Sequence, residues 1–438
     1  MNERKGTSVD KSPNKMSLSE ATSAIAAGSL SSEELVQSCI DQIEARENSV
    51  KAWAFFDPEL ALNQARDRDR AQPSGPLHGV PIGVKDIIDT KDMPTEYNSP
   101  IYKNHRPSVD ATCVARLRQA GAIIMGKTVT TEFASSYPGP TRNPINTAHT
   151  PGGSSQGSAA AVADFMVQGA LGTQTGGSVI RPNAYCGTVG YKPAYNSYDK
   201  TGVKPLAPIL DTVGLMVRSI SDVGILSSAL SGLKVEKLIT DNAPNLLLHR
   251  TGQWDAAEDC IKTLIEDCAK TFSSAGAQVR DHTFVQPYDN LQAAQRVVMA
   301  VEACQEFKEE WINHQDLLSK QFQDLMLRGF ETTPEERGEA EGLLKYAREN
   351  LAEIFKDGQI ILTPGAPGEA PKGIGSTGSS IFNRSWTFLG VACLYLPVTN
   401  GPNGLPIGIQ LVDPHNNESR LLSAGLWCAN KLGLDTII

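Results

Sequence analysis

Two serines in this chain close glycine pairs. Gly152-Gly153-Ser154-Ser155 and Gly176-Gly177-Ser178 stand 24 positions apart, counted from Ser154 to Ser178. Glycine admits positive φ angles and close approach by another group, so each cluster can shape backbone around a hydroxyl. A serine hydroxyl becomes a good nucleophile only when a base within hydrogen-bond reach takes its proton. Lys85, set between Val84 and Ile87 in the apolar run GVPIGVKDIID, is the candidate base. Burial disfavours the charged amine and draws its pKa toward neutrality. Lowering a lysine from about 10.4 to about 7 takes roughly 4–5 kcal/mol of differential interaction. The blander readings are a lysine that snorkels to the surface or pairs with Asp86, and two glycine clusters that are structural loops.

Other chemistries fit these residues less well. A glycine-rich turn before a helix can cradle phosphate, but the Walker pattern needs Gly-Lys-Ser/Thr, and Gly157 is followed by Ser158. Gly153-Ser154-Ser155-Gln156-Gly157 matches G-x-S-x-G with Ser155 as nucleophile, which requires an acid and a histidine downstream. His249, His282, His314 and His415 lie in polar or helical contexts without a supporting motif. The eight cysteines are scattered and form no CxxC pair, so neither a zinc site nor a disulfide framework is indicated. No metal or cofactor is called for.

The elements that must position these groups read as α/β. Ser17 caps a short helix through Ala27, and Ser31 with Glu34 has capping-box spacing ahead of a helix bearing Leu35, Val36, Cys39, Ile40 and Ile43. A third helix runs from Pro58 to Arg70, ended by AQPSGP. Val80 to Ile88 reads as a buried strand, Asp110 as the cap of a helix through Gln119, and Ala122–Met125 as the next strand. That alternation predicts βα units in a largely parallel sheet. A small-residue helix spans Ser158–Met166, and residues 236–350 read as mostly helical. Strands follow at 358–364, 391–398 and 406–412, with a last helix from Glu418.

At 438 residues, 40% hydrophobic and 20% charged, the chain has the composition of a globular protein with a large core. Its net charge of −9 argues against nucleic acid or an anionic membrane as partner. No apolar run reaches spanning length and the N-terminus lacks a signal-peptide core. Scattered free thiols suit a reducing compartment, so a cytoplasmic protein is expected.

Three longer segments resemble the amidase signature family: Pro151–Ala160, Gly172–Ser178 and Cys186–Pro193. Pro81–Asp86, Gly126-Lys127-Thr128 with Glu132-Phe133, Asp211–Gly214 and Gly404–Gln410 match further family motifs, so the resemblance covers most of the chain. It implies a large twisted mixed β-sheet covered by helices on both faces. It also implies one domain over 16–438 after a frayed 1–15: a helical front (16–75), a catalytic core (78–225), a helical insert (236–355) and closing strands with a helix (358–438). By the same resemblance Ser178 is the nucleophile, Ser154 the cis-peptide serine and Lys85 the general base. Backbone amides of Thr175, Gly176, Gly177 and Ser178 would form the oxyanion hole, with Gly153 and Ser155 in support. Gln156, Ile87, His149 and Leu215 depart from the usual Gly or Ser, Asn, Arg and Pro; Gln156 and Ile87 are near enough in sequence to alter the pocket.

The function implied is a cofactor-free, stand-alone amidase for a small-molecule amide, related members also cleaving esters, ureas and carbamates; the resemblance admits a homodimer. The alternatives are the glutaminase (A-type) component of a tRNA-dependent amidotransferase, or a catalytically idle assembly component, which an intact Lys85–Ser154–Ser178 set argues against. Substrate choice is expected to lie in 90–145 and 290–390. Tyr97, Phe133, Tyr137, Trp386 and Phe388 there could line an apolar pocket or be core, and hydrophobic or aryl acyl groups are favoured.

Overall fold

The computed structural model describes residues 12–233, 238–356 and 358–437. Eleven strands form one sheet: β1 (Trp53–Phe56), β2 (Pro81–Lys85), β3 (Ile123–Thr128), β4 (Gly169–Gln174), β5 (Val189–Lys192), β6 (Thr212–Val217), β7 (Asn245–His249), β8 (Gln278–His282), β9 (Gln359–Pro364), β10 (Ala392–Asn400) and β11 (Pro406–Asp413). Their order is β1-β3-β2-β4-β6-β5-β10-β11-β9-β7-β8. β2 pairs in parallel with β3 and β4, and β7 with β8 and β9. The other neighbours are antiparallel. The sheet is therefore mixed, as the family resemblance implies, and the largely parallel sheet expected from alternation is corrected. Helices separate some strands in sequence, but β4, β5 and β6 meet by antiparallel returns.

Successive strand residues point to opposite faces, and here both faces are apolar. Leu394 and Leu396 join one core cluster while Cys393 and Tyr395 join another. Likewise Val213, Leu215 and Val217 face one side and Met216 the other. Covering helices must seal both sides, which explains why these strands read as continuous apolar runs.

The front helices form as their caps dictate. Leu18–Ala26 and Ser32–Val50 carry complete capping boxes at Ser17/Glu20 and Ser31/Glu34, and Pro58–Arg70 starts at Asp57. Asp110 does not cap Thr112–Gln119; its carboxylate pairs with Arg118 and accepts from Lys91 N–H instead. The small-residue helix is Gln156–Ala163, and its Ala159, Ala160 and Ala161 are fully buried, with the helix packed on β2, β3 and β4. Two expectations fail locally. Pro13–Lys15 form a 3-10 turn with Asn14 buried, so these three are not frayed; residues 1–11 lie outside the described residues. The 236–355 segment contains β7 and β8 at one edge of the sheet, so it is not purely a helical insert.

Candidate active site

Lys85 is the last residue of β2 and is wholly buried. Its Nζ lies 2.7 Å from Ser154 Oγ and 2.8 Å from Thr173 Oγ1. Burial drives its pKa well below the usual lysine value; Asp211 opposes that shift and Arg181 adds to it. Asp86, its neighbour in sequence, turns to Lys127 on β3, 3.1 Å away. The two buried lysines thus have different company: Lys127 a carboxylate, Lys85 two hydroxyls.

The Gly153–Ser154 peptide is cis. The Gly153 carbonyl accepts from Arg181 Nε at 3.1 Å and Nη2 at 2.5 Å, and Arg181 Nη1 donates to the Gly378 carbonyl. Burial lowers the Arg181 guanidinium to about 10. Ser155 does not face Lys85; its Oγ exchanges hydrogen bonds with the Thr173 backbone at 3.2 Å in each direction. That link fixes the first glycine cluster to the end of β4.

The second cluster follows β4 directly. Three carbonyls here are engaged: Thr175 accepts from Gln295 Nε2, Gly176 from Thr387 Oγ1, and Gly177 from the Arg181 amide. The backbone N–H groups of Thr175, Gly176, Gly177 and Ser178 donate to no described residue. A strip of backbone with its acceptors tied down and its donors free is ready for an anionic oxygen. Thr175 is further held by Asp211, whose Oδ1 accepts from Thr175 Oγ1 at 2.5 Å while Oδ2 accepts from the Leu206 and Ala207 amides. Burial raises the Asp211 carboxyl to about 6. Gly177 must be glycine because an added Cβ would sit 2.4 Å from Asn383 Oδ1.

Ser178 is nearly buried, its Oγ bonds to no described residue, and it lines a cavity of about 740 Å³ with Thr175, Gly176 and Gly177. Catalytic contacts are often looser before substrate binds. The structure therefore brings Lys85 to Ser154, and places Ser178 with the free amides on the cavity wall. His249 and His282 lie elsewhere, facing each other through Nδ1 atoms 3.1 Å apart on β7 and β8.

Sequence reasoning missed Thr173, Arg181, Arg384 and a role for Asp211; isolated threonines and arginines carry no local signature, although Asp211 stood in a matched segment. The substrate segments named from sequence do contribute, through Ala134–Ser136, Arg296–Ala300 and Gly375–Arg384. The five aromatic residues do not form a pocket beside Ser178. Tyr97, Phe133, Trp386 and Phe388 are core, Tyr137 is a surface residue, and none lines this cavity. Gln156 and Ile87 are buried away from it too.

Fold and sequence together define a hydrolase of carbon–nitrogen bonds. The chain belongs to the Amidase family, whose profile matches residues 34–422. It is 32% identical over 466 residues to the A-type subunit of the glutamyl-tRNA(Gln) amidotransferase of Lawsonia intracellularis (strain PHE/MN1-00), covering 94% of this chain and 96% of that one. The same subunit of Geobacter sp. (strain M21) is 30% identical over 465 residues, covering 93% and 96%. A crystal structure of an amidase superposes with a TM-score of 0.87 at 27% identity, over 95% of this chain and all of the other.

Two substitutions test how the second cluster is held. Gly177→Ala forces the Asn383 contact apart, and kcat is expected to fall about a hundredfold with the fold retained; an unchanged kcat would show the strip is not rigid. Asp211→Asn leaves one acceptor oxygen where Thr175 Oγ1 and the Leu206 and Ala207 amides now use two, and is expected to cost about 1–3 kcal/mol of stability by chemical denaturation.

Proposed function

We propose that the protein is a stand-alone amidase that works through an acyl-enzyme on Ser178. The observation that carries this reading is the buried Lys85 amine held by two hydroxyls and no carboxylate. In this mechanism neutral Lys85 takes the proton of Ser154, which takes that of Ser178 as Ser178 Oγ attacks the amide carbon. The tetrahedral oxyanion rests on the free amides of Thr175, Gly176, Gly177 and Ser178. The proton returns through Ser154 to the leaving amine as the C–N bond breaks. Water then adds to the ester by the same relay, releasing the acid and Ser178. The unpaired thiols suit a cytoplasmic setting, and no described helix is long and apolar enough to cross a membrane.

A second reading draws on the relatives that are A-type subunits of glutamyl-tRNA(Gln) amidotransferases, aligned over nearly the whole chain. On that reading the same site would release ammonia from glutamine within an assembly. The two differ in a measurement on the isolated chain: a stand-alone amidase turns over simple amides without added partners.

Ser178→Ala is expected to abolish both hydrolysis and labelling by a fluorophosphonate. Labelling that survives it and disappears in Ser155→Ala would overturn the assignment. The pH profile tests Lys85. Only the neutral amine accepts a proton, and its pKa is lowered, so kcat/KM should fall as pH drops through that lowered value. Asp211 titrates near 6, so the acid limb should persist in Asp211→Asn. A profile flat to about pH 5 would contradict a lysine base.

A further inference from the structure

The cavity beside Ser178 has a one-sided charge. Arg181, Arg296, Arg328 and Arg384 line it, and no Asp or Glu does, in a chain of net charge −9. None of the four forms a salt bridge among the described residues. Arg181 is spent on the Gly153 and Gly378 carbonyls. The other three keep most of their five donors: Arg384 Nη1 donates to Gln295 Oε1 at 2.6 Å, Arg328 Nε to the carbonyl of Asp324 in its own helix, and Arg296 to no described residue. Arg384 also stands against the amide strip, since a Cβ on Gly176 would lie 3.6 Å from its Nη1.

Gathering unpaired guanidiniums is unfavourable. Burial and the charges of Arg296, Arg181 and Arg328 push Arg384 down to about 9, with no carboxylate opposing. An anion bound among them would relieve that repulsion and form the bidentate contacts that arginine makes with carboxylates. A free amino acid brings an ammonium as well, for which this wall offers no carboxylate.

Resting on Ser178 as the nucleophile, we propose that the substrate is the monoamide of a dicarboxylic acid, its free carboxylate held by Arg384 with Arg296 and Arg328 and its amide carbonyl at Ser178. Attack by Ser178 Oγ breaks the C–N bond, the amine departs with the relayed proton, and water converts the ester to a dicarboxylate. The expected hydrophobic or aryl acyl group is replaced by an anionic one.

The test uses the rate at which a neutral alkyl fluorophosphonate labels Ser178. Succinate, glutarate and adipate are added in turn, each against its neutral diamide, and kcat/KM is measured for succinamate and glutaramate against butyramide and valeramide. The best diacid should protect, and the best monoamide be preferred, by on the order of tenfold or more. Both preferences should shrink about tenfold in Arg384→Gln, mainly through KM, and be partly restored in Arg384→Lys. Arg296→Gln and Arg328→Gln, at exposed helix positions, should weaken them without touching a buried group. L-glutamine should compete less well than glutaramate. Normal Ser178 labelling with equal protection by diacids and diamides, or a preference unaffected by these substitutions, would overturn the proposal and leave the amidase reading standing. Glutamine matching glutaramate would overturn the exclusion of an ammonium. Absence of Ser178 labelling would remove the nucleophile and the proposal with it.

Discussion

The site depends on one unfavourable act, taking the Lys85 amine out of water without pairing it with a carboxylate. An isolated buried ammonium is costly, so such a group gives up its proton. The adjacent strand supplies the contrast. Lys127 is as deeply buried, yet Asp86 lies beside it, and the neighbour of Lys85 in sequence thereby serves the wrong lysine for neutralisation. Lys192 shows that burial alone does not make a base. It too is buried and lowered to about 8, but its Nζ donates to the Pro193 carbonyl and meets no serine. Lys85 differs in facing Ser154 and Thr173.

Around that amine the fold fixes backbone rather than side chains. Arg181 holds the Gly153 carbonyl, Ser155 ties the first cluster to β4, and Gln295, Thr387 and Asp211 hold the second. Gln174 continues the pattern, its Oε1 accepting from the Val179 and Ile180 amides at the start of the next helix. The carbonyls so engaged are satisfied by other donors, and the amides of 175–178 bond to no described residue. The arginines then divide by task. Arg181 has its guanidinium occupied by carbonyls, whereas Arg384 presents an open fork to the cavity.

What was legible in the sequence was local. The Gly-Ser clusters need glycine for steric reasons and so appear as motifs, and the capping boxes at Ser17 and Ser31 carry their own spacing. β4 (GALGTQ) and β5 (VGYK) escaped because glycine-rich strands have little intrinsic strand preference and are made by burial between neighbours. β7 and β8 were hidden in a stretch whose surrounding helices dominate its pattern. The cavity wall was illegible for another reason. Arg296, Arg328 and Arg384 come from three separate helices, and nothing near each one marks it as facing Ser178. The aromatic residues suggested an apolar pocket only because sequence cannot tell core from cavity.

The protonation state of Lys85 is the claim on which the rest stands, and neutron diffraction from deuterium-exchanged crystals at mildly alkaline pH reads it directly. The account predicts two deuterons on Lys85 Nζ, one directed at Thr173, with the deuteron between Lys85 and Ser154 residing on Ser154 Oγ. Three deuterons on Nζ, with Ser154 only accepting, would mean a charged lysine at rest and would contradict the account.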